Sequence, residues 1–65
     1  MKLISRIDYW VEKRGFTYKW IAIQLNVTQA TLSRWVHNKG YPSIHTLFAL
    51  AELLECKVDD LYKKE

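Results

Sequence analysis

Gln29 and Arg34, five residues apart, are the pair in this chain best suited to read another molecule by hydrogen bonding. A glutamine amide offers an acceptor beside a donor, and an arginine fork offers several donors in one plane. The first pairs in bidentate fashion with adenine N6 and N7, the second with guanine O6 and N7. Ala30 and Ser33 between them are short, and the methyls of Ala30 and Thr31 suit a thymine methyl. On a helix opening at Thr28, residues Gln29, Ala30, Ser33 and Arg34 make up a solvent face sized for base edges in a DNA major groove.

Other chemistry finds little support. His37 and His45 have no cysteine or acidic cluster at ligand spacing, so no metal site is expected. Neither has a serine, cysteine or carboxylate partner at a convincing spacing, and no Gly-rich phosphate loop occurs, so the chain does not read as an enzyme. No cofactor or small-molecule ligand is implied. The lone Cys56 sits among Leu53, Leu54 and Val58 and reads as a core residue in a reduced, cytoplasmic setting.

The elements that must hold the reading face follow from caps and periodicity. Leu3, Ile7, Trp10 and Val11 recur at helical spacing and predict a first helix from about Leu3 to Arg14, stopped by Gly15. Thr17 is a good N-cap for a second helix over Tyr18 to Leu25, with Phe16 before it placed to pack on Ile21. Asn26 tolerates the left-handed conformation that would end that helix. Thr28 caps a third helix, about Gln29 to His37. Asn38 to Pro42 reads as a loop, and Ser43 caps a fourth helix, about Ile44 to Leu54, with Ile44, Leu47, Leu50, Ala51 and Leu54 on one face. Lys57 to Tyr62 predicts a short fifth helix, capped by Asp59 or the residue before it. The expected fold class is all-α, a single five-helix domain over residues 1–65, with the helix-turn-helix at about 17–37. Ala22 falls at the close contact between the second and third helices.

Charge is unevenly spread. Residues 13–51 carry Lys13, Arg14, Lys19, Arg34 and Lys39 with no acid. Residues 52–65 carry Glu52, Glu55, Asp59, Asp60 and Glu65 against Lys57, Lys63 and Lys64. A basic middle and an acidic end point to one face turned toward a polyanion and another turned away. The opening MKLISRIDYW is broken by Arg6 and Asp8 and is too short for a signal peptide, and no membrane partner is expected.

These residues resemble the Xre family of lambda-repressor-like (Cro/C1-type) helix-turn-helix domains. The resemblance rests on Gly15-Phe16-Thr17, Ile21-Ala22, Leu25-Asn26-Val27-Thr28 and Thr31-Leu32-Ser33-Arg34-Trp35. It continues through Pro42-Ser43, Thr46-Leu47, Leu50-Ala51-Glu52 and Asp59-Asp60-Leu61, covering about residues 3–62. It implies that the third helix enters the major groove, with base contacts from Gln29, Ala30 and Arg34; Thr31 and Ser33 join them as base-contact candidates from their chemistry and place on that helix. It implies phosphate contacts from Thr17, Tyr18 and Lys39, and Lys19, Thr28 and Tyr41 are further phosphate-contact candidates. The implied role is a double-stranded DNA-binding transcriptional regulator, a repressor on a pseudo-palindromic operator, forming a homodimer at least on DNA.

The chain departs from the family's pattern in four places. Tyr18 stands where glutamine is common. Val11 and Val36 stand where many members pair an arginine with a glutamate, and the two valines are expected to pack as an apolar substitute. Trp20 and Ile23 occupy usually polar positions; with Leu61 and Tyr62 they are the candidate protein interface. That surface carries the alternative reading, a protein-interaction module such as an antitoxin or partner-binding regulator on the same fold. Asn26 and Glu55 replace the usual glycines after the second and fourth helices. At Glu55 this predicts either a helix end that is not left-handed or one that carries strain.

Overall fold

The computed structural model describes residues 1–65, with five helices framed by two short strands: β1 Leu3–Ser5, α1 Ile7–Arg14, α2 Tyr18–Leu25, α3 Gln29–Val36, α4 Ile44–Leu53, α5 Val58–Leu61 and β2 Tyr62–Lys64. Three helices start on a hydroxyl cap. Thr17 accepts from the Trp20 N–H at 3.1 Å, Thr28 from Thr31 at 3.1 Å and Ser43 from Thr46 at 3.3 Å. Each cap satisfies one amide that the helix itself leaves unpaired. The cap position of α5 is Lys57, earlier than expected, and its N–H donates to the Asp60 carboxylate at 3.1 Å.

One device ends the four longer helices. Gly15, Asn26, Asn38 and Glu55 all have positive φ, at 75°, 57°, 62° and 53°. After each, the next amide reaches back five residues: Phe16 to the Val11 carbonyl, Val27 to Ala22, Lys39 to Arg34 and Cys56 to Ala51, at 2.7 to 3.1 Å. This is the Schellman closure, and an apolar residue commonly follows the left-handed one and packs back on the helix. Phe16, Val27 and Cys56 do so against the core. Lys39 is exposed instead. Glu55 thus takes the strained alternative, because a non-glycine residue in this conformation brings Cβ toward its own carbonyl.

The expected all-α class needs a correction. Leu3–Ser5 is a strand, antiparallel to Tyr62–Lys64 with Leu3 opposite Lys64 and Ser5 opposite Tyr62. Helical spacing from Leu3 to Ile7 is real, but Ser5 intervenes. Its hydroxyl accepts from the Ile7 N–H at 3.3 Å, a local bond that competes with continuing the helix backward. The Ser5 N–H donates to Asn38 Oδ1 at 2.8 Å, and the Arg6 N–H to the Leu61 carbonyl at 2.8 Å. Tyr62, expected in the last helix, belongs to β2.

The core gathers Ile7, Val11, Ile21, Ala22, Leu32, Trp35, Leu50, Ala51, Leu54 and Leu61. Ala22 is buried as expected. Val36 packs half-buried against a core in which Val11 is buried, the apolar substitution the sequence implies. One expected placement fails. Ile44, assigned to the inner face of α4, is 76% exposed, and Phe48 one turn on is 61% exposed, because Leu47, Leu50 and Ala51 set the side of α4 that packs inward. Cys56 is only half-buried; desolvation, then Asp60, pushes its thiol pKa up against the lowering pull of Arg14.

Side chains tie the ends of elements together. Arg14 donates from Nε to the Leu54 carbonyl at 2.7 Å and from Nη2 to Glu55 at 3.0 Å, capping α4 from α1. Trp10 donates its indole N–H to the Asp60 carbonyl at 3.0 Å, locking α1 to α5. No helix is long and apolar enough to cross a membrane.

Candidate nucleic-acid interface

α2 and α3 are separated by three residues, Asn26, Val27 and Thr28, so the chain turns sharply between them. Buried Leu32 and Trp35 fix which side of α3 faces the core. The opposite side leaves Gln29, Ala30, Ser33 and Arg34 exposed, and Thr31 half-buried. Thr31 is less available than its position implies. Its hydroxyl accepts from the Thr28 hydroxyl at 2.9 Å, so both hydroxyls are engaged with each other at the helix start.

Arg34 is held rather than free. Its Nη2 donates to the Lys39 carbonyl at 3.1 Å, across the closure of α3. A guanidinium anchored by one donor keeps the others in a defined plane. The side chain of Lys39 itself is exposed.

The expected phosphate-contacting residues Thr17, Tyr18, Lys19, Thr28, Lys39 and Tyr41 are all exposed. Thr17 uses its hydroxyl on the Trp20 amide, leaving the amides of Tyr18 and Lys19 at the open end of α2 without helical partners. A helix start of this kind attracts anions. Burial, then the charges of Asp8 and Glu12, push the Tyr18 phenol pKa up. The Tyr41 ring lies 5.8 Å from that of Tyr62.

A cleft of about 600 Å³ brings several of these residues together. Its lining is Asp8, Tyr18, Gln29, Ala30, Ser33, Val36 and His37. Asp8 and His37 were not singled out in the sequence as part of this face. Asp8 belongs to a stretch of zero net charge that gives no hint of facing α3. His37 places Nδ1 2.9 Å from the Ser33 carbonyl, an arrangement in which the ring nitrogen donates, leaving Nε2 as the free edge.

Of the candidate interface residues, Trp20 and Ile23 are exposed, Ile23 by 63%. Trp20 stacks on Phe16 with ring centroids 4.7 Å apart, and Phe16 also packs against the core that contains Ile21. Leu61 is fully buried in the core and offers no surface to a partner. The Tyr62 hydroxyl is buried and lacks a hydrogen-bond partner. No three His, Cys, Asp or Glu side chains cluster closely enough to hold a metal ion.

The profile of the Cro/C1-type HTH DNA-binding domain matches residues 6–65. No curated protein matches the chain. Among solved structures, the chain is similar to one described as a "putative DNA-binding protein from Bacteroides fragilis". The two are 32% identical with a TM-score of 0.88, over 95% of this chain and 100% of the other.

Proposed function

The chain belongs to the Cro/C1-type helix-turn-helix DNA-binding domain family, and from that membership we propose that it is a sequence-specific transcriptional repressor of double-stranded DNA. The observation that carries this reading is the exposed face of α3, with Gln29, Ala30, Ser33 and Arg34 outward and Arg34 held by the Lys39 carbonyl. In this reading those side chains read base edges, while Thr17, Tyr18, Lys19, Thr28, Lys39 and Tyr41 meet the backbone. Thr31 contributes its methyl at most.

One helix in one groove covers too few base pairs for operator-level selectivity. A homodimer on a pseudo-palindrome, with half-sites about 34–36 Å apart, supplies the rest. The apolar surfaces open to a second copy are Trp20 with Ile23 on α2 and Ile44 with Phe48 on α4. Trp20→Ser and Phe48→Ser, each examined by sedimentation with and without operator, identify which one is used. Repression follows from occupying promoter DNA in the cytoplasm and excluding polymerase.

The test is selection from a random duplex pool, with wild type and a Gln29→Ala/Arg34→Ala variant in parallel. The reading requires wild type to enrich an inverted repeat and the variant to lose it while remaining folded. Enrichment of nothing, with only salt-sensitive background, overturns sequence-specific reading. A partner protein lost on Trp20→Ala then becomes the reading to pursue, since Trp20 and Ile23 are exposed together.

A further inference from the structure

We propose that Asp8 is an electrostatic brake on DNA binding, a carboxylate held by α1 against the seat of a DNA phosphate. The inference rests on the DNA-binding reading above and goes beyond the residues of α2 and α3. Asp8 shares one cleft with Tyr18 at the start of α2 and with Gln29, Ala30 and Ser33 on the outward face of α3. When that face enters a groove, the strand flanking the groove passes the open end of α2, and so passes Asp8.

The carboxylate is oriented within its own turn. Asp8 Oδ1 accepts from the Tyr9 N–H at 2.8 Å, and the residue lies in the first turn of α1, anchored on either side by buried Ile7 and Val11. Glu12, one turn further along α1, adds a second negative charge that also acts on Tyr18. The cleft holds no lysine or arginine to neutralise either. His37 on the facing wall is its one basic group, and its Nδ1 is committed to the Ser33 carbonyl.

A phosphate seated over Tyr18 therefore meets donors from the helix end and repulsion from α1 at once. The repulsion is independent of base sequence, because it acts on the backbone alone. It lowers affinity for every duplex and leaves Gln29 and Arg34 to make up the difference on a matching site.

The test is Asp8→Asn, which keeps the acceptor for the Tyr9 amide and removes the charge. Glu52→Gln is the control. It changes net charge equally, but Glu52 is on α4, in clefts that no α3 residue lines. Binding to a random-sequence duplex is measured by fluorescence anisotropy across a salt series, with folding checked by circular dichroism. Asp8→Asn is expected to bind about three- to tenfold more tightly at low salt, with the gain shrinking as salt rises. Glu52→Gln is expected to match wild type. Should the amide destabilise α1, Asp8→Ser gives the same readout.

Equal gains for Asp8→Asn and Glu52→Gln overturn the proposal, since net charge alone then explains them. Weaker binding by Asp8→Asn overturns it too, and marks Asp8 as a contact. If wild type and both variants bind no duplex at low salt, the DNA reading itself falls, and the brake with it.

Discussion

Arg34 and Lys39 are joined by a side-chain to main-chain bond, Nη2 to carbonyl at 3.1 Å, across the left-handed turn at Asn38. The same turn carries the Lys39 amide back to the Arg34 carbonyl at 2.7 Å, so the two residues hold each other in both directions. A long exposed side chain normally loses rotamer freedom on binding. Here part of that ordering is already made in the free protein.

Arg34→Lys is therefore not a conservative change. It keeps the charge but loses the fork and its planar anchor. The expected outcome is a loss of about 1–3 kcal/mol on the selected operator, with affinity for random duplex nearly unchanged. Paired anisotropy titrations on the two duplexes measure it. Equal losses on both would mean that Arg34 serves as a phosphate contact.

Trp10→Phe removes one bond and leaves the Asp60 carbonyl without its indole donor. A cost of about 1 kcal/mol is expected. For a domain this small that lowers the Tm by roughly 4–8 °C. Thermal unfolding followed by circular dichroism checks it. An unchanged Tm would show that the α1–α5 lock adds nothing to stability.

Glu55 pays a conformational penalty at φ 53° that glycine avoids. The left-handed conformation costs about 1–2 kcal/mol for a residue with a Cβ, offset by the extra freedom glycine gives the unfolded chain. Glu55→Gly is expected to stabilise by about 0.5–1 kcal/mol, seen as a higher urea midpoint. Gly15→Ala goes the other way. At φ 75° an added Cβ meets no atom within 4 Å, so its cost is purely backbone. A lower midpoint for Glu55→Gly would mean that the glutamate makes a contact outweighing its strain.

Tyr62→Phe removes a buried hydroxyl that lies near the Ser5 side chain but makes no hydrogen bond of full geometry. At neutral pH it is expected to be neutral or stabilising by up to about 1 kcal/mol. The pH dependence has a definite sign. Burial, then Tyr41, pushes the Tyr62 phenol above the ordinary tyrosine value of 10.0, against a lowering pull from the Ser5 side chain. As pH rises past that value the unfolded chain releases its proton while the folded chain keeps it, so stability falls with rising pH. Urea titrations at neutral pH and near pH 11 are expected to show a shallower alkaline loss in the variant. A neutral-pH loss larger than about 1 kcal/mol would mean that the hydroxyl is hydrogen-bonded in solution.

What the sequence disclosed follows the range of each interaction. α2 matches its expected ends at Tyr18 and Leu25 because Thr17 and Asn26 act within a turn of themselves. The outward side of α3 was legible for the same reason, since Leu32 and Trp35 fix it by periodicity. β1 was not legible, because Leu3–Ser5 takes its partner from the far end of the chain, and Tyr62-Lys63-Lys64 carries no alternating pattern. Leu61 looked available as an interface only because a four-residue helix gives too little periodicity to tell inside from outside. Asp8 escaped notice as part of the site because only tertiary packing brings α1 beside Gln29.

The strand pair sets an order of assembly. The caps and closures of the helices join residues within five positions, whereas β1 and β2 pair residues from opposite ends of the described sequence and are expected to form later. Two strands of three residues are marginal by themselves, so their amides are expected to exchange with solvent soonest. Ser5 links that late, loose zipper to Asn38, the residue beside Lys39. Opening of the strand pair is thus expected to release a tether on the turn that holds Arg34, so the order of that side chain is coupled to a contact on the far side of the domain.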